Sequence, residues 1–159
     1  YWARGISAFG YSVYGAELSQ KRVQYASSLG VKNIDPFDGS FQFDFVNMEQ
    51  VLEHLPKPVE ILNSLAKIIK SKGFLQLGLP TGNKTRKELI KGSWTPQKDA
   101  MHPLEHLNLF NQKYFEKKMN QFGFKKISIV QHLKNGFSIK RLIDNRIFGS
   151  CSGVYQKVT

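Results

Sequence analysis

Residues 41–55 read Phe41-Gln42-Phe43-Asp44-Phe45-Val46-Asn47-Met48-Glu49-Gln50-Val51-Leu52-Glu53-His54-Leu55. Phe43, Phe45, Val46 and Met48 form a short apolar run, which predicts a buried strand covered on both faces over residues 43–48. The chain turns polar directly afterwards. Gln50, Glu53 and His54 stand at i, i+3 and i+4, so one turn of helix places all three on one side. Pro56 disfavours helical geometry at Leu55 and keeps that turn short. Polar side chains just beyond the carboxyl end of a buried strand occupy the place where an open α/β sheet binds its ligand.

The flanking sequence alternates between helix-like and strand-like periods. Upstream, residues 2–9 suit a helix and 12–17 a strand. Ser19 is positioned to cap a helix with Val23, Ala26 and Leu29 inward and Gly30 as its stop. A short strand near 32–35 and a turn at Pro36-Phe37-Asp38-Gly39 follow. Downstream, Pro58 suits the first turn of a helix running through Ile69, with Val59, Leu62, Leu65, Ala66 and Ile69 as its apolar stripe. Lys67, Lys70 and Lys72 crowd its end, where the dipole favours cations. Residues 74–79 make another strand. Residues 80–110 hold Pro80, Gly82, Gly92, Pro96 and Pro103 with little periodicity, and are expected to form a long functional loop inserted in the domain. Asn111 caps a helix with Phe115, Met119 and Phe122 inward and Gly123 at its end. Strands at 126–132 and 152–158 close the fold as a hairpin, with a basic amphipathic segment at 137–148 packing between them. Strands alternating with helices of this length define an α/β fold built on a mostly parallel sheet.

Composition bounds the rest. At 159 residues with 41% hydrophobic and 22% charged content, ordinary globular values, the chain can bury a core as one domain, 1–159. No apolar run approaches the roughly 18 residues that span a bilayer. The lone Cys151 excludes an internal disulfide framework and suits the reducing cytoplasm; it reads as a buried strand residue rather than a nucleophile. The net charge of +11 is the unusual number. Lys84, Arg86, Lys87, Lys91 and Lys98 crowd one segment, and Lys125, Lys126, Lys134, Lys140, Arg141 and Arg146 another. Such charge favours anionic partners, or is a solvated lysine-rich surface. Trp94 is the lone aromatic between Lys84 and Lys98, which gives little of the base-stacking pattern that nucleic-acid sites show.

Four stretches in order carry a family resemblance. Phe43-Asp44-Phe45-Val46 followed by Val51-Leu52-Glu53-His54-Leu55 and Pro58 resembles the segment after the fourth strand of class I S-adenosylmethionine (SAM) dependent methyltransferases. Tyr14-Gly15-Ala16-Glu17-Leu18-Ser19 resembles the end of the second strand with its acidic residue. Ile68-Ile69-Lys70-Ser71-Lys72-Gly73-Phe74-Leu75 is similar to the approach to the fifth strand. Glu105-His106-Leu107-Asn108-Leu109-Phe110 resembles the segment before the fifth helix in the small-molecule O-methyltransferase branch. The resemblance implies a Rossmann-like sheet of order 3-2-1-4-5-7-6 with the seventh strand antiparallel. The family's glycine-rich loop after its first strand has no counterpart, so the sequence is expected to be a fragment that starts just beyond that loop and lacks strand 1.

Site residues follow from both readings. A carboxylate at the end of a strand accepts hydrogen bonds from a vicinal ribose diol, which assigns Glu17; nicotinamide-cofactor domains use the same chemistry, and the 41–55 context selects SAM. Leu18 is expected against the adenine, Asp35 or Asp38 at its amino group, and Asn47, Met48 and Glu49 along the methionine end. Methyl transfer requires donor and acceptor to be positioned in line, and a hydroxyl acceptor must also lose its proton. His54 and His106 are the candidate bases. With Glu53 they are also candidate ligands for a divalent cation, since similar glutamate-histidine turns hold one in small-RNA 3′-terminal and ubiquinone-pathway O-methyltransferases. Here Gln50 stands where those families have their first glutamate, and a neutral amide weakens a site for a hard cation. A plain structural role for both histidines remains the third reading. Trp94 and His106 are expected to contact the acceptor. The leading function is SAM-dependent methylation of a hydroxyl on a small molecule, an anionic one suiting the charge. An RNA methyltransferase and a non-catalytic SAM-fold binding module are the alternatives; oligomeric state is left open.

Overall fold

The structure, a computed structural model, describes residues 2–80, 82–96, 100–102, 104–127 and 151–158. They fall into two compact units, residues 1–41 and 42–159.

The first unit holds α1 (Trp2–Ala8), β1 (Tyr14–Gly15), α2 (Gln20–Ser28) and β2 (Lys32–Asn33), with β1 and β2 paired in parallel. Val23, Ala26 and Leu29 turn to the inner side of α2 as expected but are only half-buried. Gly30 takes the left-handed conformation at φ 80° that a helix stop requires. Ser19 is a correction: its side chain makes no capping bond. The Glu17 carboxylate instead accepts from the backbone N–H of Ser19 itself, at 2.9 Å.

The second unit is built on a four-stranded sheet of order β3-β4-β6-β5, from β3 (Phe43–Glu49), β4 (Ile69–Gly78), β5 (Phe124–Lys126) and β6 (Gly153–Lys157). β3 and β4 are parallel; β6 runs antiparallel to both β4 and β5. The antiparallel β5–β6 pairing agrees with the expected hairpin, but β5 begins two residues before the predicted strand 126–132, of which 128–132 lie outside the described residues, as does the 137–148 segment. β2-β1 and β3-β4-β6-β5 match the 3-2 and 4-5-7-6 stretches of the implied order.

β3 departs from the expected strand covered on both faces. It is the edge of its sheet, with Phe43, Phe45, Val46 and Met48 half-buried and Asp44, Asn47 and Glu49 exposed. No described strand lies beyond it, so its outer backbone edge lacks the neighbour that full burial needs. α3 (Pro58–Ile68) follows, ending one residue before the predicted stop. Leu62, Leu65 and Ile68 are its buried stripe, while Val59 is 46% exposed because it precedes the first turn to face the sheet. Lys157 reaches from β6 to the last turn of α3, donating to the carbonyls of Ala66 at 2.6 Å and Ile69 at 2.7 Å. That cation satisfies two helix-end acceptors at the negative end of the dipole.

Residues 80–110 contain a helix that the sequence reading missed, α4 (Asn83–Ile90). Only Thr85 is buried in it, so no apolar stripe announced it. α5 (Gln112–Gln121) is as predicted: the Asn111 side chain accepts from the Tyr114 N–H, and Phe115 and Met119 are buried. One core gathers Leu52, α3, β4, Phe115, Met119, Phe124, Cys151 and Tyr155.

Candidate functional site

β3 ends at Glu49, and Gln50 takes the left-handed conformation at φ 53° while its N–H still reaches the Gly78 carbonyl at 2.8 Å. A single turn of 3-10 helix, Leu52–His54, comes next. Gln50 therefore breaks the helical path before the turn begins, and it does not share the face predicted for it with Glu53 and His54. Leu52 is fully buried in the core and fixes the turn. Glu53, beside it, is also fully buried, and His54 remains partly exposed.

The segment 105–108 lies against this turn. The N–H groups of Leu107 and Asn108 both donate to the Glu53 carbonyl, at 2.9 and 3.1 Å. The Asn108 carboxamide donates to the Leu55 carbonyl at 2.6 Å. Nδ1 of His54 lies 2.7 Å from the Glu105 carbonyl, and Nδ1 of His106 lies 3.1 Å from the Ala100 carbonyl. A carbonyl oxygen only accepts, so each Nδ1 carries the proton and each neutral imidazole keeps its lone pair on Nε2.

The two rings meet edge to face with centroids 4.9 Å apart. One ligand atom from each of Glu53, His54 and His106 lies within 4.8 Å of the others. Nε2 of His54 is 3.9 Å from a Glu53 oxygen, too far for a hydrogen bond. Both Glu53 oxygens are buried and have no hydrogen-bond partner among the described residues. An ionised carboxylate in that state costs several kcal/mol unless a cation or a donor joins it. Two imidazoles and a carboxylate this close together are the donor types that hold a proton or a divalent cation. The imidazole N–H groups bound to backbone carbonyls are the outer support that metal-bound histidines commonly have.

The structure thus brings Glu53, His54 and His106 together as the sequence suggested. It adds His102, whose ring lies 6.1 Å from that of His106. It also adds Asn108 as the clamp. Both were visible in the stretch His102–Asn108, but a clamping role leaves no spacing signature. Glu49 is held by Gln76, whose Nε2 donates to it at 2.7 Å, and its carboxylate occupies the space a β-carbon at Gly78 would need. Asn47 is exposed and Met48 half-buried on the same strand; Trp94 is half-buried in the stretch after α4.

In the first unit Glu17 closes β1, its N–H bound to the Asn33 side chain at 2.9 Å. Its carboxylate accepts from the Ser19 N–H, and Arg22 lies 3.4 Å from the second oxygen. These donors hold its pKa below the usual carboxylate value, the Ser19 backbone bond contributing most. Two donors leave lone pairs for two further bonds, so the group fits a vicinal diol. Leu18 is 99% exposed, an apolar side chain with nothing covering it among the described residues. Asp35 folds back on the N–H of Phe37 at 2.9 Å, and Asp38 on that of Ser40 at 2.8 Å, so each is partly occupied within its own turn.

A family profile described as a methyltransferase domain matches residues 1–129, and the chain belongs to that family. No curated protein matches it. Among solved structures it is similar to magnesium protoporphyrin IX methyltransferase from Synechocystis with bound SAH, at 17% identity and TM-score 0.58 over 79% of this chain and 60% of that one. It is also similar to a SAM-dependent methyltransferase of Thermotoga maritima described as a possible histamine N-methyltransferase, at 19% identity and TM-score 0.52 over 70% of this chain and 55% of that one. A third, from Methanosarcina mazei, shares 17% identity at TM-score 0.57, covering 78% of this chain and 74% of that one. Identities this low establish the shared fold. The chain spans 55% and 60% of the first two of these proteins.

Proposed function

We propose that this protein transfers a methyl group from SAM to a hydroxyl oxygen of a small-molecule acceptor, and that Glu53, His54 and His106 take up the acceptor proton. The gathering of two imidazoles around a fully buried carboxylate with no hydrogen-bond partner among the described residues, one ligand atom of each within 4.8 Å of the others, carries the reading. The family match runs through both units, which supports one methyltransferase domain spanning them. The lone, buried Cys151 supports a cytoplasmic location. Among the described residues no helix is long and apolar enough to cross a membrane.

SAM, when bound, supplies a methyl group on a sulfonium. In the first unit Glu17 is the proposed acceptor for the ribose hydroxyls, Leu18 the proposed cover of the adenine and Asp35 the proposed partner of its amino group. In the second, Asn47, Met48 and Glu49 are the proposed lining of the methionine end. Trp94 and His106 are the proposed acceptor contacts. Either imidazole accepts the hydroxyl proton on Nε2, and Glu53 stabilises the imidazolium formed. The same three residues fit a divalent metal as a two-histidine, one-carboxylate set, which would supply positive charge to the acceptor oxygen. Ligand bonds of about 2.0–2.2 Å require some contraction from the 4.8 Å spread.

The test is methyl transfer from tritiated SAM to a panel of hydroxyl compounds, with His54→Gln, His106→Gln and calorimetric SAM titration alongside. Lost turnover with SAM affinity unchanged supports the reading, and turnover retained in both variants overturns it. Chelator-sensitive turnover selects the metal. An RNA acceptor is the second reading, on the exposed Lys84, Arg86, Lys87 and Lys91 of α4 and its end. SAM binding with no turnover on any acceptor marks a binding module instead.

A further inference from the structure

Along the exposed face of α5, beside Asn83 at the start of α4, lies a shallow, open cleft of about 560 Å³ lined by Asn83, Asn111, Gln112, Lys113, Glu116, Lys117 and Asn120. It shares no residue with the Glu53–His54–His106 cluster. None of its lining residues is an apolar one, which favours a polar ligand. Its single carboxylate, Glu116, is already engaged by Lys126 at 3.4 Å and by the Gln112 amide at 3.1 Å. Lys113 and Lys117 are exposed and form no ion pair among the described residues. Asn111 spends its side-chain oxygen capping α5, which leaves its NH₂ as a donor. The cleft thus offers two unneutralised ammonium groups and amide donors. Arg86, Lys87 and Lys91, also exposed and without an ion pair among the described residues, extend the positive field over α4. Glu88 on the same helix is taken by Lys84 at 3.6 Å.

The cleft stands close to the proposed reaction site. Asn108 is hydrogen-bonded to the Glu53 turn, and Asn111 follows three residues later, at most about 11 Å along an extended chain. Leu109 and Phe110, between them, pack against Gly82 at the start of α4.

We infer that the α4–α5 cleft binds a phosphate group carried by the methyl acceptor. Lys113 and Lys117 supply the charge and the amides of Asn111 and Asn120 the directional bonds, while the lysine-rich α4 raises the local concentration of anions. The inference rests on the acceptor reading only for what the phosphate is attached to. Its test needs neither SAM nor turnover, so the two can fail separately.

The probe is inorganic pyrophosphate, titrated into the protein as it exists and followed by nitrogen-15 NMR and calorimetry. The expected result is saturable shifts confined to residues 111–120 and Asn83. Lys113→Ala combined with Lys117→Ala should weaken binding by about tenfold or more, the scale of charge-assisted hydrogen bonds. Lys32→Ala with Lys125→Ala, which removes the same charge elsewhere, should leave affinity within about twofold. Equal loss in both double variants, or shifts scattered over the surface, overturns the inference as a net-charge effect. Polyuridylate binding more than a hundredfold tighter than pyrophosphate, with steep salt dependence, overturns it in favour of a nucleic-acid surface.

Discussion

Asn108 is tied to Glu53 through the backbone: its N–H donates to the Glu53 carbonyl, beside the N–H of Leu107 on the same oxygen. Its side chain then spans to Leu55. Asn108 thus adds a side-chain bond to the backbone and histidine contacts that hold the 105–108 segment over the turn presenting Glu53 and His54. Asn108→Ala removes the side-chain bond and should cost about 1–2 kcal/mol, because the Leu55 carbonyl loses its donor. Hydrogen exchange should rise at Leu107 and at residue 108 before it rises in β4. Unchanged exchange there would mean that the backbone and histidine contacts hold the segment without the side-chain bond.

Glu53→Gln replaces a buried, unpartnered carboxylate with an amide of the same shape. Stability should rise by about 1–2 kcal/mol, since the neutral group is cheaper to bury. Methyl transfer should fall by about 100-fold or more, the usual contribution of acid–base groups. Thermal unfolding and turnover on the same sample decide it. A variant that is less stable and equally active would make Glu53 a structural residue.

Glu17→Ala should weaken SAM binding by about 1.5–3 kcal/mol, the range for hydrogen bonds to an ionised group. The carboxylate also holds the Ser19 N–H, so the helix start must be checked separately. Glu17→Gln, which keeps an acceptor for Ser19, should recover the melting temperature but only part of the SAM affinity. Full affinity in the glutamine variant would place the ribose elsewhere.

Cys151 should be inert. Burial pushes its thiol pKa up to about 12, and Tyr155, fully buried beside it with its hydroxyl on the Cys151 carbonyl, is pushed up as well. A thiol raised in the folded state contributes stability that is present below its unfolded value and is lost as pH rises toward the folded one. Stability should therefore fall between about pH 9 and 12. Cys151→Ala should flatten the part of that fall due to the thiol. Alkylation by iodoacetamide at pH 8 should follow global unfolding; fast labelling of the native protein would contradict the burial.

The stretch 41–55 was legible because a strand and a polar turn each leave a periodic mark. The helix ending at Gly123 was legible for the same reason, through Asn111, Phe115 and Met119. α4 was not, because a lysine-rich helix with a single buried threonine has no apolar period to detect. The left-handed Gln50 was not either, since glutamine carries no special preference for that conformation; its N–H still bonds the Gly78 carbonyl. The partnership of His54 and His106 depended on a segment some fifty residues away folding back, which spacing alone cannot show. It became visible only through the order of motifs. Backbone clamping by Asn108 has no sequence signal at all.

Glu49 and Gly78 hold one further consequence. The Glu49 carboxylate, fixed by Gln76, fills the volume where residue 78 would carry its first side-chain carbon. Gly78→Ala would drive Glu49 off Gln76, whereas the same change in a protein already shortened at position 49 meets open space. The two positions are thus not free to drift independently. Because the atoms displaced are the far end of a flexible, exposed side chain, an alanine at 78 costs chiefly the Gln76 bond, and a change at residue 49 removes that cost in advance.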